Sequence, residues 1–133
     1  MKCKVLMLSH SKLAGAFYDT IQFIYGDTSG FGYINMSEPF DQQQYIESIE
    51  NVIEENKDTG VLILTDLFGG SPFLNTCKLM RQYGQYMEVV TGYNLAMVLE
   101  LASSIQTDTV EELKQKALEA ATKGIIDVKE RMK

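Results

Sequence analysis

The chain has 133 residues, 45% hydrophobic and 23% charged. These are the proportions of an ordinary globular protein with enough chain to bury one core, so one domain is expected. A net charge of −6, with a sequence pI near 4.7, argues against a nucleic-acid-binding face and does not favour docking on anionic lipid. No stretch approaches the roughly 20 apolar residues of a membrane span, and residues 1–8 lack the long apolar core of a secretion signal. A cytoplasmic protein is expected, with no direct membrane insertion.

Residues 3–8 are apolar except for Lys4, the composition of a strand buried on both faces of a parallel sheet. Beyond Ser9-His10-Ser11 the period changes. Leu13, Phe17, Ile21 and Ile24 recur at helical spacing, and Gly26 stops the helix. Phe31, Tyr33 and Ile34 mark a short second strand. A helix over residues 41–56 places Ile46, Ile49 and Ile53 inward, with Glu47, Glu50 and Glu54 outward.

The third strand, residues 60–64, is an unbroken apolar run. It leads into Thr65-Asp66-Leu67-Phe68-Gly69-Gly70-Ser71-Pro72-Phe73, where Ser71 reads as a helix cap and Pro72 as the first helical residue. Phe73, Cys77 and Met80 form the expected inner face of that helix. Residues 87–91 make a fourth strand, Gly92-Tyr93-Asn94 a loop, and residues 95–103 a short apolar helix. Thr109 and Glu112 stand at capping-box spacing before a last helix with Val110, Leu113, Ala117 and Ala121 as its seam. Residues 125–132 fit either an edge strand or a continued helix. Strands alternating with helices predict an α/β doubly wound, four-stranded, mainly parallel sheet with helices on both faces.

In such a sheet the functional loops lie at the carboxyl ends of the strands. That rule puts His10, residues 66–71 and residues 92–94 on one rim. His10 is the only histidine in the chain. An unperturbed imidazole titrates near pH ~6.5, so its neutral, nucleophilic form is well populated at neutral pH. A carboxylate on one ring nitrogen fixes the tautomer and aims the other nitrogen outward; Asp66 is the candidate. Gly69, Gly70 and Ser71 precede a helix start whose free amides favour an anion. A phosphoryl group carried on His10 is the expected chemistry. The two cysteines, Cys3 and Cys77, sit in no pairing or metal-binding motif and are expected to be reduced core residues. No metal site, nucleotide P-loop or dinucleotide fingerprint is present in the sequence, so no cofactor is expected.

Three segments together, Ser9-His10 with Leu13-Ala14, the residue 65–73 loop, and Thr91-Gly92-Tyr93-Asn94-Leu95, resemble the IIA component of the mannose/fructose/sorbose group of the phosphotransferase system. The resemblance spans residues 1–133 as one IIA domain. It implies a cytoplasmic homodimer with a C-terminal antiparallel strand exchanged between subunits. It also implies a phosphoryl group taken from the carrier HPr onto His10 and passed to a IIB protein, which serves sugar entry through membrane components IIC and IID. Carried over by position, Asp66 orients His10, and Gly69, Gly70 and Ser71 line the phosphoryl site. Two positions depart from the family pattern: Ser11 stands where glycine is frequent, and Ala96 where proline is frequent.

The phosphocarrier subunit of dihydroxyacetone kinase is an alternative, as is a regulatory module controlled by phosphorylation. A hydrolase using His10 as nucleophile is a third. The transported sugar is not legible, because sugar contacts belong to the membrane components.

Overall fold

A computed structural model describes residues 3–133. Four strands, β1 (Lys4–His10), β2 (Phe31–Met36), β3 (Val61–Thr65) and β4 (Met87–Thr91), form one sheet in the order β2-β1-β3-β4. Every pairing between named strands is parallel. Among the described residues six α-helices accompany them: α1 (Leu13–Ile24), α2 (Gln42–Glu55), α3 (Ser71–Tyr83), α4 (Leu95–Ser104), α5 (Val110–Lys123) and α6 (Val128–Arg131), with a 3-10 turn at Gly84–Tyr86.

Period-2 alternation sorts the strand residues between two cores. Val5, Met7, Leu62 and Leu64 point to one face, where α1, α4 and α5 contribute Ala14, Ile21, Met97, Leu101, Leu113 and Ala117. Leu6, Leu8, Val61 and Ile63 point to the other, against Tyr45, Ile49 and Ile53 of α2 and Leu79 and Tyr83 of α3. The inner strands are therefore dry on both sides, as their composition requires.

The chain leaves β1 toward β2 through α1, then returns past β1 to β3 through α2. Strand order thus reverses between β1 and β3, and the loops after these two strands diverge there. This switch point lies beside the carboxyl ends of both strands, where an open α/β sheet leaves a crevice.

Several elements differ from the sequence expectation. In α1, Ala14, Gly15 and Ile21 face inward, while Leu13 and Ile24 are exposed. The small pair lets α1 sit close on β2: a Cβ on Gly15 would lie 3.1 Å from both Asn35 Nδ2 and Tyr33 Cε2. In α3 the inner face is Pro72, Asn75, Thr76, Leu79 and Tyr83. Phe73 and Cys77 are half-buried and Met80 is exposed. The polar residues turn inward because they are satisfied locally. Thr76 Oγ1 donates to Pro72 O at 2.8 Å, and Asn75 Nδ2 donates to Ser71 O at 2.9 Å. Phe73 is drawn outward against Phe68 of the preceding loop, with ring centroids 4.8 Å apart.

Among the described residues no strand follows β4; Val128–Arg131 is a single helical turn capped by Asp127, which accepts from Glu130 N–H. The strand reading of residues 125–132 is replaced by this turn. Its apolar residues Val128 and Met132, with Ile125 before it, remain exposed. The capping box at Thr109 and Glu112 is present in both directions. No helix among the described residues is long and apolar enough to cross a membrane.

Candidate functional site

His10 is the last residue of β1, and Asp66 directly follows β3. The register pairs Leu8 with Thr65, so the two residues emerge side by side at the switch point. Asp66 Oδ2 lies 3.0 Å from His10 Nδ1 and also accepts the His10 backbone N–H at 3.1 Å. An ionised carboxylate only accepts, so the neutral imidazole carries its proton on Nδ1. Its lone pair is then on Nε2, at the far side of a ring that is 46% exposed, whereas the Asp66 side chain is 13% exposed. A fixed tautomer and an accessible nitrogen are what a nucleophilic histidine needs.

The turn into α1 is held from below. Buried Ser9 accepts the Ala14 N–H through Oγ at 2.6 Å, and Asn35 Oδ1 accepts the Gly15 N–H at 3.0 Å. Ser11 lies between these anchors in the left-handed region, at φ 53, and donates its N–H to Met36 O at 2.8 Å.

The two loop glycines serve different purposes. Gly69 has φ 83 with open space around it, so its need is conformational. Gly70 has an ordinary φ of −74. A Cβ there would lie 2.7 Å from Cε1 and 3.2 Å from Nε2 of His10, so its need is close approach to the imidazole. Gly70, not Ser71, takes the cap position of α3, and Ser71 is the first helical residue. The Ser71 hydroxyl makes no cap hydrogen bond, which corrects the reading of Ser71 as the cap. Among the described residues no group accepts the backbone N–H of Ser71 or Phe73, and Pro72 has none to offer. Ser71 and His10 line one open cleft together with Lys12, Met36, Glu38 and Phe40. It is a place where an anion on His10 would meet a helix start.

Tyr45 of α2 and Tyr93 of the β4–α4 loop flank this site from the two faces of the sheet. Both phenols have their pKa raised, first by burial and then by the negative charge of Asp66. Tyr93 donates its hydroxyl to Leu8 O at 3.2 Å, and Gly92 N–H donates to Thr65 O at 2.8 Å. Asn94 caps α4 by accepting the Met97 N–H. Residues 92–94 therefore brace the strand ends; they do not line the cleft.

Lys12, Phe40 and Asn75 were not singled out by sequence. Lys12 and Phe40 carry no motif, and Asn75 hides within a helix as a buried polar residue. At the opposite end of the strands another cavity is lined by Cys3, Lys57, Tyr86 and Asp108. Burial, and then the charge of Glu111, push the Cys3 thiol up, and it donates to Asp108 O at 3.3 Å. It is a satisfied core thiol, and both cysteines are free.

A profile of the family described as "PTS system fructose IIA component" matches residues 4–118. The chain belongs to this IIA family. Within the mannose/fructose/sorbose IIA group it is similar to the sorbose-specific EIIA component of Lacticaseibacillus casei, 30% identical over 110 residues, covering 83% of this chain and 79% of that protein. It is also 26% identical over 127 residues to the mannose-specific EIIAB component of Escherichia coli K12; the match covers 94% of this chain but only 39% of that longer protein. Among solved structures, the mannose/sorbose-specific IIA subunit from Enterococcus faecalis superposes with a TM-score of 0.84 at 27% identity, covering 96% and 95% of the two chains. The EIIA component from Streptococcus agalactiae shares the fold, with a TM-score of 0.87 at 24% identity over 96% and 98%.

Proposed function

We propose that this IIA component is a phosphocarrier whose acceptor is His10. One observation carries the reading: Asp66 holds Nδ1 of an exposed imidazole, while the Nε2 edge lies against Gly70 beside the unpaired amides of α3. The Nε2 lone pair attacks the phosphorus of a phosphohistidine on HPr. The donor P–N bond breaks as the new N–P bond forms, and the donor imidazole leaves with the electron pair. The ring gains positive character, which the Asp66 carboxylate offsets. Gly69, Gly70 and Ser71 would receive the phosphoryl oxygens. A helix start favours nearby negative charge by only ~0.3–1 kcal/mol when exposed. That modest hold suits a carrier that must release its cargo to a histidine of a IIB protein, for sugar uptake through IIC and IID.

The reading places the protein in the cytoplasm, where these partners meet. Exposed apolar side chains at Leu67, Phe68, Leu74 and Met80, and at Ile125, Val128 and Met132, support a homodimer or partner contacts.

Incubation with phosphoenolpyruvate, the general first enzyme of the system and HPr tests the proposal. An acid-labile mass increase of one phosphoryl group at His10 is expected, lost in His10→Ala and discharged on adding a IIB acceptor. Rapid release of inorganic phosphate without an acceptor would instead make the chain a hydrolase.

A further inference from the structure

The Ser71 hydroxyl, freed from capping, is engaged from inside the protein. Asn75, one helical turn later and only 3% exposed, donates through Nδ2 to Ser71 O at 2.9 Å and to Ser71 Oγ at 3.3 Å. Its Oδ1 accepts from Gln42 Nε2 at 3.0 Å, across the gap between α3 and α2.

The polarity of this chain of bonds follows from chemistry alone. The Ser71 carbonyl can only accept, so the Asn75 group beside it is the amide nitrogen. The Asn75 oxygen must then face Gln42, which has to present a donor. Ser71 Oγ receives an N–H from Asn75 and keeps its own proton for another acceptor. Ser71 is among the residues that line the cleft of His10.

We infer that Asn75, oriented by Gln42, is a positioning residue that makes Ser71 a hydrogen-bond donor to the phosphoryl group carried on His10. The inference rests on the carrier reading above and adds to it a polar relay centred on buried Asn75. A phosphoryl oxygen only accepts, so a serine committed as donor suits it; an unconstrained hydroxyl would spend part of its time turned toward the helix carbonyls. Burial of Asn75 at the centre of the relay strengthens its bonds and narrows its alternatives.

The test is phosphorylation of the full chain by phosphoenolpyruvate, the first enzyme and HPr, followed by mass, with thermal melting monitored alongside. Asn75→Ala should slow phosphorylation by about five- to tenfold, the scale of one hydrogen bond, and Gln42→Ala should slow it in the same direction. With Ser71→Ala already in place, neither substitution should slow it further. A merely structural role would lower the rate equally in both backgrounds. That result, or unchanged rates in both single variants, overturns the inference. Asn75 is buried and its variant could unfold; Gln42 lies at the exposed start of α2, so Gln42→Ala decides the matter in that event. Failure of the wild-type chain to accept phosphate would strike down the carrier reading itself. Normal phosphorylation with equal slowing in both backgrounds would strike down only the relay.

Discussion

Gly70 and His10 approach so closely that any side chain at position 70 would collide with the ring: an added Cβ falls 2.7 Å from Cε1. Asp66 holds the other side of that ring, so the imidazole cannot swing aside without stretching the Nδ1 contact. Gly70 and Asp66 together therefore set the position of the imidazole.

Gly70→Ala should accordingly slow phosphorylation by roughly tenfold or more, since misplacement of a reacting group by a fraction of an ångström is costly. Its stability should change little, because φ at this position suits alanine and the clash is with a half-exposed ring. Gly69→Ala should do the reverse. Open space surrounds it, but the left-handed φ imposes about 1 kcal/mol of strain. Chemical denaturation and transfer assays on the two variants, side by side, separate the roles.

Asp66→Asn keeps the shape of the side chain and removes its charge. The His10 backbone N–H holds the amide oxygen in the place of Oδ2, so the Nδ1–H tautomer persists; what is lost is the negative charge that offsets positive character on the ring. Transfer should fall by about 10- to 100-fold. Stability should fall modestly, because the amide NH2 takes the place of Oδ1, which is buried without a hydrogen-bond partner. Unchanged transfer rates in this variant would remove Asp66 from the mechanism.

These outcomes bear on what the sequence could reveal. That His10 and Asp66 close two neighbouring buried strands was legible, because near-continuous apolar runs mark parallel strands and chemistry gathers at their carboxyl ends. The inner face of α3 was not. Asn75 and Thr76 point inward with their polar groups satisfied by Ser71, Pro72 and Gln42, and hydrophobicity carries no sign of that. The cap of α3 was misassigned for a related reason. Ser71-Pro72 is a cap signal by composition, yet Gly70 takes the place because the chain must pass tight against the ring. Residues 125–132 offered too few periodic positions to tell a strand from the four-residue helix α6.

Ser11 offers a stability gain. It is the one non-glycine residue with positive φ among the described residues, at 53, in the turn between His10 and α1. Ser11→Gly should relieve strain there and raise stability by about 0.5–1 kcal/mol, less the added freedom of glycine in the unfolded chain. The Ser11 N–H bond to Met36 O does not depend on the side chain and should persist. A higher urea midpoint with unaltered phosphorylation is the expected pair of results.

Tyr83 gives the fold a dependence on alkaline pH. Its hydroxyl donates to Glu50 Oε2 at 2.6 Å, joining α3 to α2. That hydrogen bond, with burial behind it, pushes the phenol up from its ordinary 10.0 to about 12. The folded state therefore holds the Tyr83 proton more tightly than the unfolded chain does. Its contribution is complete below the unfolded value, and it is lost as pH rises through the folded one. Stability should decline between about pH 10 and 12 in the wild type, and Tyr83→Phe, less stable at pH 8, should show a shallower decline across that window. Denaturant midpoints at pH 8, 10 and 12 for the two proteins measure it; parallel curves would mean that Glu50 holds the phenol no more firmly in the fold than water does outside it.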